Sequence, residues 1–345
     1  MVDSQNQANI NSLIVIGASA GGVEALTSLV EQLPTDLNAA VAVVLHVHSQ
    51  SPGVMHYILN SAGKLPAFTA QDGAAIKTGQ IYVAPPDHHL LVKPGYLQLT
   101  RGPKENHHRP AIDPLFRTAA RAYGRRVIAV ILTGMLDDGT AGLMAVKMRG
   151  GVAIVQNPDD AMYPGMPRSA VENVEDIDYI LPLSEIPSIL VDLANTAIAP
   201  VAQKSVPSQI KYESDMVQLN SQAQDNGSFP PSKPSTFTCP DCGGTLWEIE
   251  EGKMLRFRCH VGHTFGVETL QALQSEEIEE ALWTAARALK EKAMLSESMA
   301  SRMRDRNLPS VAERLEQEAQ EAQKRSASIK EVLNLSSATT SEVEK

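Results

Sequence analysis

The sequence lacks the features that mark export, membrane insertion or nucleic-acid binding. Only three of its 345 residues are cysteine, and all three lie between Cys239 and Cys259. So small, odd and clustered a set builds no disulfide framework and suits metal ligation in a reducing compartment. The first twelve residues, MVDSQNQANINS, have neither a basic n-region nor an apolar h-region. The longest apolar runs, such as Ala39–Leu45 and Val127–Leu132, fall far short of the about 18 residues a membrane helix needs. A soluble, cytoplasmic chain is therefore expected. No Lys/Arg-rich run occurs, and 30 Lys+Arg against 40 Asp+Glu leaves a net charge of -10. Counterion release from a phosphate backbone requires clustered positive charge, so nucleic acid is excluded as the main partner.

What is present is an ordinary globular composition, 43% hydrophobic and 20% charged, long enough for about two domains. From Leu13 to Asn195, β-branched runs alternate with helical patterns, which predicts an α/β fold: a doubly wound, mostly parallel, Rossmann-like sheet over residues 10–195. Strands are read at Leu13–Ile16, Ala39–His46, Gln80–Val83, Val127–Leu132 and Val152–Val155. Helices are read at Gly22–Leu33, Asp113–Tyr123, Thr140–Arg149 and Ser184–Leu193, with a hairpin in His89–Leu99 turning at Pro94-Gly95. Residues 196–236 turn to Gln, Ser, Pro and Asn and read as a disordered linker. A zinc-ribbon-like segment is placed at 237–268 and an α-helical hairpin or coiled coil at 269–335, broken at Leu308-Pro309. Its apolar seam runs through Ile278, Leu282, Ala285 and Leu289, then Val311, Leu315, Ala322, Ser326, Ile329 and Leu333, and suits self-association or a partner helix.

The chemistry starts at Gly17-Ala-Ser19-Ala20-Gly21-Gly22, a G-x-S-x-G between a strand and a helix. Small neighbours permit a tight turn that lifts Ser19 Oγ above the sheet edge, while backbone N–H groups at the helix start suit a developing oxyanion. The second strand ends in His46, and RVIAVIL runs into Thr133-Gly-Met-Leu-Asp137-Asp138-Gly139. Carboxyl ends of parallel strands share one edge, so Ser19, His46 and Asp138 can converge. A serine nucleophile needs an imidazole to take its proton and a carboxylate to orient that imidazole, and this edge supplies both. Asp137 reads as a solvated loop carboxylate, and the His88-His89 and His107-His108 pairs read as loop surface groups.

GASAGG, His46, GQIYVAPPDHHLLV, RPAIDPLF, LTGMLDDGTAG and GMPRSAV resemble, in that order, the catalytic domain of CheB-type protein-glutamate methylesterases over about residues 10–195. The resemblance implies a cytoplasmic enzyme of chemotaxis signal transduction that hydrolyses glutamate methyl esters on methyl-accepting receptors, many members also deamidating glutamines. It makes Ser19 the nucleophile, His46 the general base, Asp138 the orienting carboxylate and the Met135 backbone N–H an oxyanion donor, beside the Ala20 N–H read from the turn itself. It also puts the NHHRPAID loop beside the cleft, with Arg109 the residue chosen there. Leu136 departs from the Met-Gly-x-Asp-Gly pattern and bears on the oxyanion geometry. About a dozen residues precede the first strand, so control by an N-terminal receiver domain is expected to be absent.

Cys239-x2-Cys242, then Cys259-x3-His263 after sixteen residues, is a pair of knuckles suited to one tetrahedral Zn2+, with His263 as fourth ligand in preference to His260. Four protein ligands leave no open position, so the zinc is expected to be structural and catalysis to need no cofactor. Other readings are weaker. A metallohydrolase at His46 and His48 lacks the Asp of an H-x-H-x-D pattern, and a dinucleotide site lacks the acid at the end of the second strand. A catalytically silent signalling adaptor is the remaining alternative.

Overall fold

The computed structural model describes residues 11–197, 205–218 and 233–343. Its first elements are β1 (Ser12–Ala18), α1 (Gly22–Glu31), β2 (Ala39–Leu45), α2 (Met55–Ala62), β3 (Ala67–Thr69) and β4 (Ile81–Val83). A two-stranded hairpin, β5 (His89–Lys93) and β6 (Tyr96–Thr100), leads to α3 (Ile112–Tyr123). Then come β7 (Val127–Ile131), α4 (Thr140–Met148), β8 (Val152–Gln156), α5 (Gly165–Asn173), β9 (Tyr179–Leu181) and α6 (Ile186–Asn195).

Seven strands form one sheet in the order β3-β4-β2-β1-β7-β8-β9, and every neighbouring pair is parallel. Alternate side chains leave a strand on opposite faces. Leu13 and Val15 accordingly join the core that holds Phe116 and Leu143, while Ile14 and Ile16 join the one that holds Leu26, Leu59 and Leu190. Both faces of β1 are covered, which is why its sequence is continuously apolar rather than alternating. From β1 the chain winds outward through β2, then returns to add β7 on the other flank. The crevice at this switch point lies beyond the carboxyl ends of the strands and is where such sheets place their sites.

The linker expectation needs correction. Within it, Ser208–Val217 forms helix α7, and Lys233–Thr238 is already strand β10. Residues 198–204 and 219–232 lie outside the described residues. Helix α7 has few large apolar residues but buries Glu213 against Arg117 of α3, 3.1 Å away. Strand β10 continues into β11 (Thr245–Glu251), β12 (Met254–Cys259) and β13 (Thr264–Gly266), an antiparallel four-stranded sheet. Arg256 and Arg258 of β12 each pair with Glu213 at 2.7 Å, so ionic contacts rather than a large apolar core join α7 to this sheet.

The chain divides into two compact units, one through Leu270 and the other from Gln271. The second consists of most of α8 (Val267–Asp305) together with α9 (Pro309–Val343). They pack antiparallel, as Arg304–Glu316, Gln323–Glu297 and the Ser326 hydroxyl donating to the Ala286 carbonyl show. The seam on α8 keeps Leu282 and Leu289, both half-buried, but departs from the sequence reading at Ile278 and Ala285. Ala286, Ala293 and Ala300 are buried at heptad spacing, whereas Ala285 is exposed and Ile278 is 61% exposed. Small residues dominate the buried positions, so the two helices can approach closely.

Candidate active site

The loops after β1, β2 and β7 bring Ser19, His46 and Asp138 together. His46 Nδ1 lies 3.1 Å from Ser19 Oγ, and His46 Nε2 lies 2.7 Å from Asp138 Oδ2. With Asp138 accepting the Nε2 proton, Nδ1 is left with the lone pair that can receive a proton from Ser19. The serine turn is tight because Gly21 caps α1 at φ +70°, a conformation that glycine adopts without strain. The Ser19 N–H donates to the Thr133 carbonyl, tying this turn to the loop after β7.

Asp138 is buried and saturated with donors. Oδ2 also accepts the Ile112 N–H, and Oδ1 accepts the Gly139 N–H and the Asn106 side-chain amide at 2.9 Å. Burial works against its charge, but His46 and these donors outweigh burial and hold the carboxyl well below the usual carboxylate range. Its neighbours go the other way. Burial first, and then the charge of Asp138, pushes both Asp113 and Asp137 upward. Asp137 is therefore not the solvated loop carboxylate expected from sequence. It is 3% exposed and accepts the Thr269 hydroxyl at 2.5 Å.

Two of the loop histidines are also misread as surface groups. His108 stacks on the His46 ring, centroids 3.8 Å apart, and burial, helped by the adjacent His46, takes it down to about 3. It is a neutral wall that fixes the plane of the His46 ring. His89 is fully buried, bridging the Pro103 carbonyl and the Ala111 N–H, and so anchors the loop between them.

An open cleft of about 790 Å³ gives access to Ser19 and His46. Ala20 and Arg109 line it, but the Arg109 guanidinium is engaged by Asp87 at 2.6 Å and by the Gly102 carbonyl, so it shapes the wall. Met135 is 52% exposed beside the loop, and neither its N–H nor that of Ala20 is taken by a backbone carbonyl among the described residues. Leu136 sits at φ +63°, in the left-handed region, and so keeps the backbone path that a glycine would take.

The CheB methylesterase family model matches residues 14–190, half of the chain and all three of these loops. The chain belongs to the CheB methylesterase family. A putative protein-glutamate methylesterase/protein-glutamine glutaminase of Leptospira interrogans is 40% identical over 181 residues, covering 52% of this chain and 93% of that protein. A protein-glutamate methylesterase/protein-glutamine glutaminase of Pyrococcus horikoshii is 36% identical over 183 residues, and the match spans 49% of its length. The crystal structure of the Thermotoga maritima CheB methylesterase catalytic domain superposes with TM-score 0.52 at 36% identity, covering 53% of this chain and 98% of that one. The CheB match ends before the cysteine sheet.

In that sheet Cys239, Cys242, Cys259 and His263 present ligand atoms all within 4.8 Å of one another. Cys242 and Cys259 sulfurs are 3.7 Å apart, and His263 Nδ1 lies 3.7 and 3.5 Å from the sulfurs of Cys239 and Cys259. Zinc bonds of about 2.3 Å to sulfur and 2.0 Å to nitrogen give tetrahedral edges of about 3.5–3.8 Å, so the group fits that ion. Two knuckles form it: Gly243 N–H donates to the Cys239 carbonyl and Gly262 N–H to the Cys259 carbonyl. His260 faces away and packs edge-on against Trp247.

Proposed function

We propose that this chain is a serine hydrolase that removes methyl esters from glutamyl side chains of chemotaxis-type receptors and deamidates glutamines by the same route. The observation that carries this reading is the hydrogen-bonded series Ser19, His46, Asp138 at the open end of the parallel sheet. Ser19 Oγ attacks the side-chain carbonyl carbon as its proton passes to His46 Nδ1. Asp138 keeps the imidazole in the required tautomer and stabilises the imidazolium without taking its proton. The oxyanion is received by the Met135 N–H, with the Ala20 N–H as second donor. Methanol leaves with the proton from His46, or ammonia in the case of an amide. Water, deprotonated by the same nitrogen, then cleaves the acyl-serine and releases the glutamate carboxylate.

Each step uses side chains and backbone of the chain itself. The Cys3His group is assigned a structural Zn2+, since four protein ligands leave no position for substrate and so small a sheet gains much of its folding energy from a metal. Relatives named for both the methylesterase and the glutaminase activity, the Leptospira protein matched over 93% of its length, support the substrate class.

The test is methanol release from methylated receptor. Ser19→Ala should remain folded and lose at least about 10³-fold in turnover, as removal of a serine nucleophile does. Turnover within tenfold of the wild type in a folded Ser19→Ala protein would reject the reading.

A further inference from the structure

Asn106 stands between the proposed triad and the cysteine sheet, bonded to both. Its backbone N–H donates to the Thr264 carbonyl at 2.7 Å, and its side-chain oxygen accepts the Gly266 N–H at 2.9 Å. Both partners are in β13, which follows the ligand His263 and pairs with β12, the strand that ends in the ligand Cys259. On the other side the Asn106 amide nitrogen donates to Asp138 at 2.9 Å and to Asp113 at 3.1 Å. This arrangement permits one orientation of the amide. Turned over, it would set its oxygen against two carboxyl groups and its NH2 against a backbone N–H.

Further ties join the same two regions. Asp241, between the paired cysteines, receives His107 at 2.9 Å and lies 3.7 Å from Lys104. Gly266 packs on Asp137 so closely that a Cβ there would come 1.9 Å from its carboxylate oxygen. Thr269, three residues beyond, donates to Asp137. Both cysteine knuckles therefore grip the loop that carries Asn106 and the stacked His108.

We propose that Asn106 is a positioning residue for Asp138 and that metal in the Cys3His group holds it in place, making ester turnover depend on metal loading at a site that never touches substrate. The inference rests on the serine-hydrolase reading above. Without metal the sheet loses the bonds that join its knuckles, β13 loosens, and the Asn106 amide is free to leave Asp138.

The test compares full-length wild type, Asn106→Gly and Asn106→Asp, each as purified and after zinc removal by chelator, with methylated receptor as substrate. Glycine is the informative replacement because Asn106 has φ +50°, which glycine tolerates, so the amide goes while the backbone stays. Asn106→Gly should keep one zinc per chain and an unchanged KM while kcat falls about 10–100-fold, the loss expected for a hydrogen bond to a buried charge. Asn106→Asp, which keeps the shape but replaces the donor with a carboxyl, should fall at least as far. Chelation should lower wild-type kcat by a similar factor and Asn106→Gly by less than twofold, since the two changes break one connection. Asn106→Gly within twofold of wild type, or chelation costing it as much as it costs wild type, would overturn the proposal. Ser19→Ala, run alongside, separates the two claims. Full turnover there removes the hydrolase reading itself, whereas an inactive Ser19→Ala with an indifferent Asn106→Gly removes only the metal connection.

Discussion

At the scale of single residues, Leu136 shows how a backbone requirement outlives the residue type that usually meets it. At φ +63° it occupies a region that costs an L-residue about 1–2 kcal/mol, and it does so beside the Met135 N–H assigned to the oxyanion. A γ-branched side chain tolerates this better than a β-branched one of equal volume. Leu136→Ile should therefore destabilise by about 1–3 kcal/mol and lower kcat more than KM, whereas Leu136→Gly should keep turnover within about twofold. Urea unfolding and methanol-release kinetics on both variants check this. Ser19, His46 and Asp138 were legible in the sequence because each follows a recognisable strand, and parallel strands deliver their carboxyl ends to one edge. Asn106, His108 and Asp137 were not. The Asn106 side-chain oxygen takes its bond from Gly266, 160 residues away, and Asp137 accepts one from Thr269, 132 residues away, distances over which no sequence pattern connects them.

Among the elements, α7 has the greatest effect for its length. It reads as part of a linker because large apolar side chains are few there, and what holds it, beside the buried Ile210 and Val217, is one buried carboxylate facing three arginines. Burial opposes the charge of Glu213, but Arg256, Arg258 and Arg117 outweigh it and hold the carboxyl well below its usual value. Removing one member of such a buried network leaves its partners uncompensated, so Glu213→Gln should cost about 3–5 kcal/mol. The pH dependence follows from the lowered folded value. The stabilisation is complete above the unfolded glutamate value of about 4.3 and is lost progressively as pH falls below it. Denaturation midpoints of wild type and Glu213→Gln should differ by a constant amount from pH 7 to about pH 5 and draw together only gradually below about pH 4, well into strongly acidic solution, as the lowered carboxyl is protonated. The edge strands β3 and β9 escaped sequence reading for a different reason: β4 is equally short but wholly buried and apolar, whereas β3 and β9 leave Phe68 and Ile180 exposed at the two margins of the sheet.

For the molecule as a whole, the compact unit reaches Leu270, well past the residues matched by the family model, which end at 190. The α/β core and the cysteine sheet meet through Asn106, Asp137 and the Glu213 cluster. A chain ending at residue 275 should thus bind one zinc and keep turnover within about twofold. One ending at residue 195 strips partners from Asn106, Asp137 and Arg117, and should bind no zinc and lose at least about tenfold in turnover. Zinc stoichiometry and methanol release on the two truncations measure both. The order of strands carries one more consequence, for folding. His46 and Asp138 are 92 residues apart in the chain, and they meet only when β7 has docked beside β1. Such a long-range closure is slow compared with helix formation or local strand pairing. Recovery of ester turnover after dilution from denaturant should consequently lag the return of helical circular dichroism, with catalysis acting as a clock for the last strand to join the centre of the sheet.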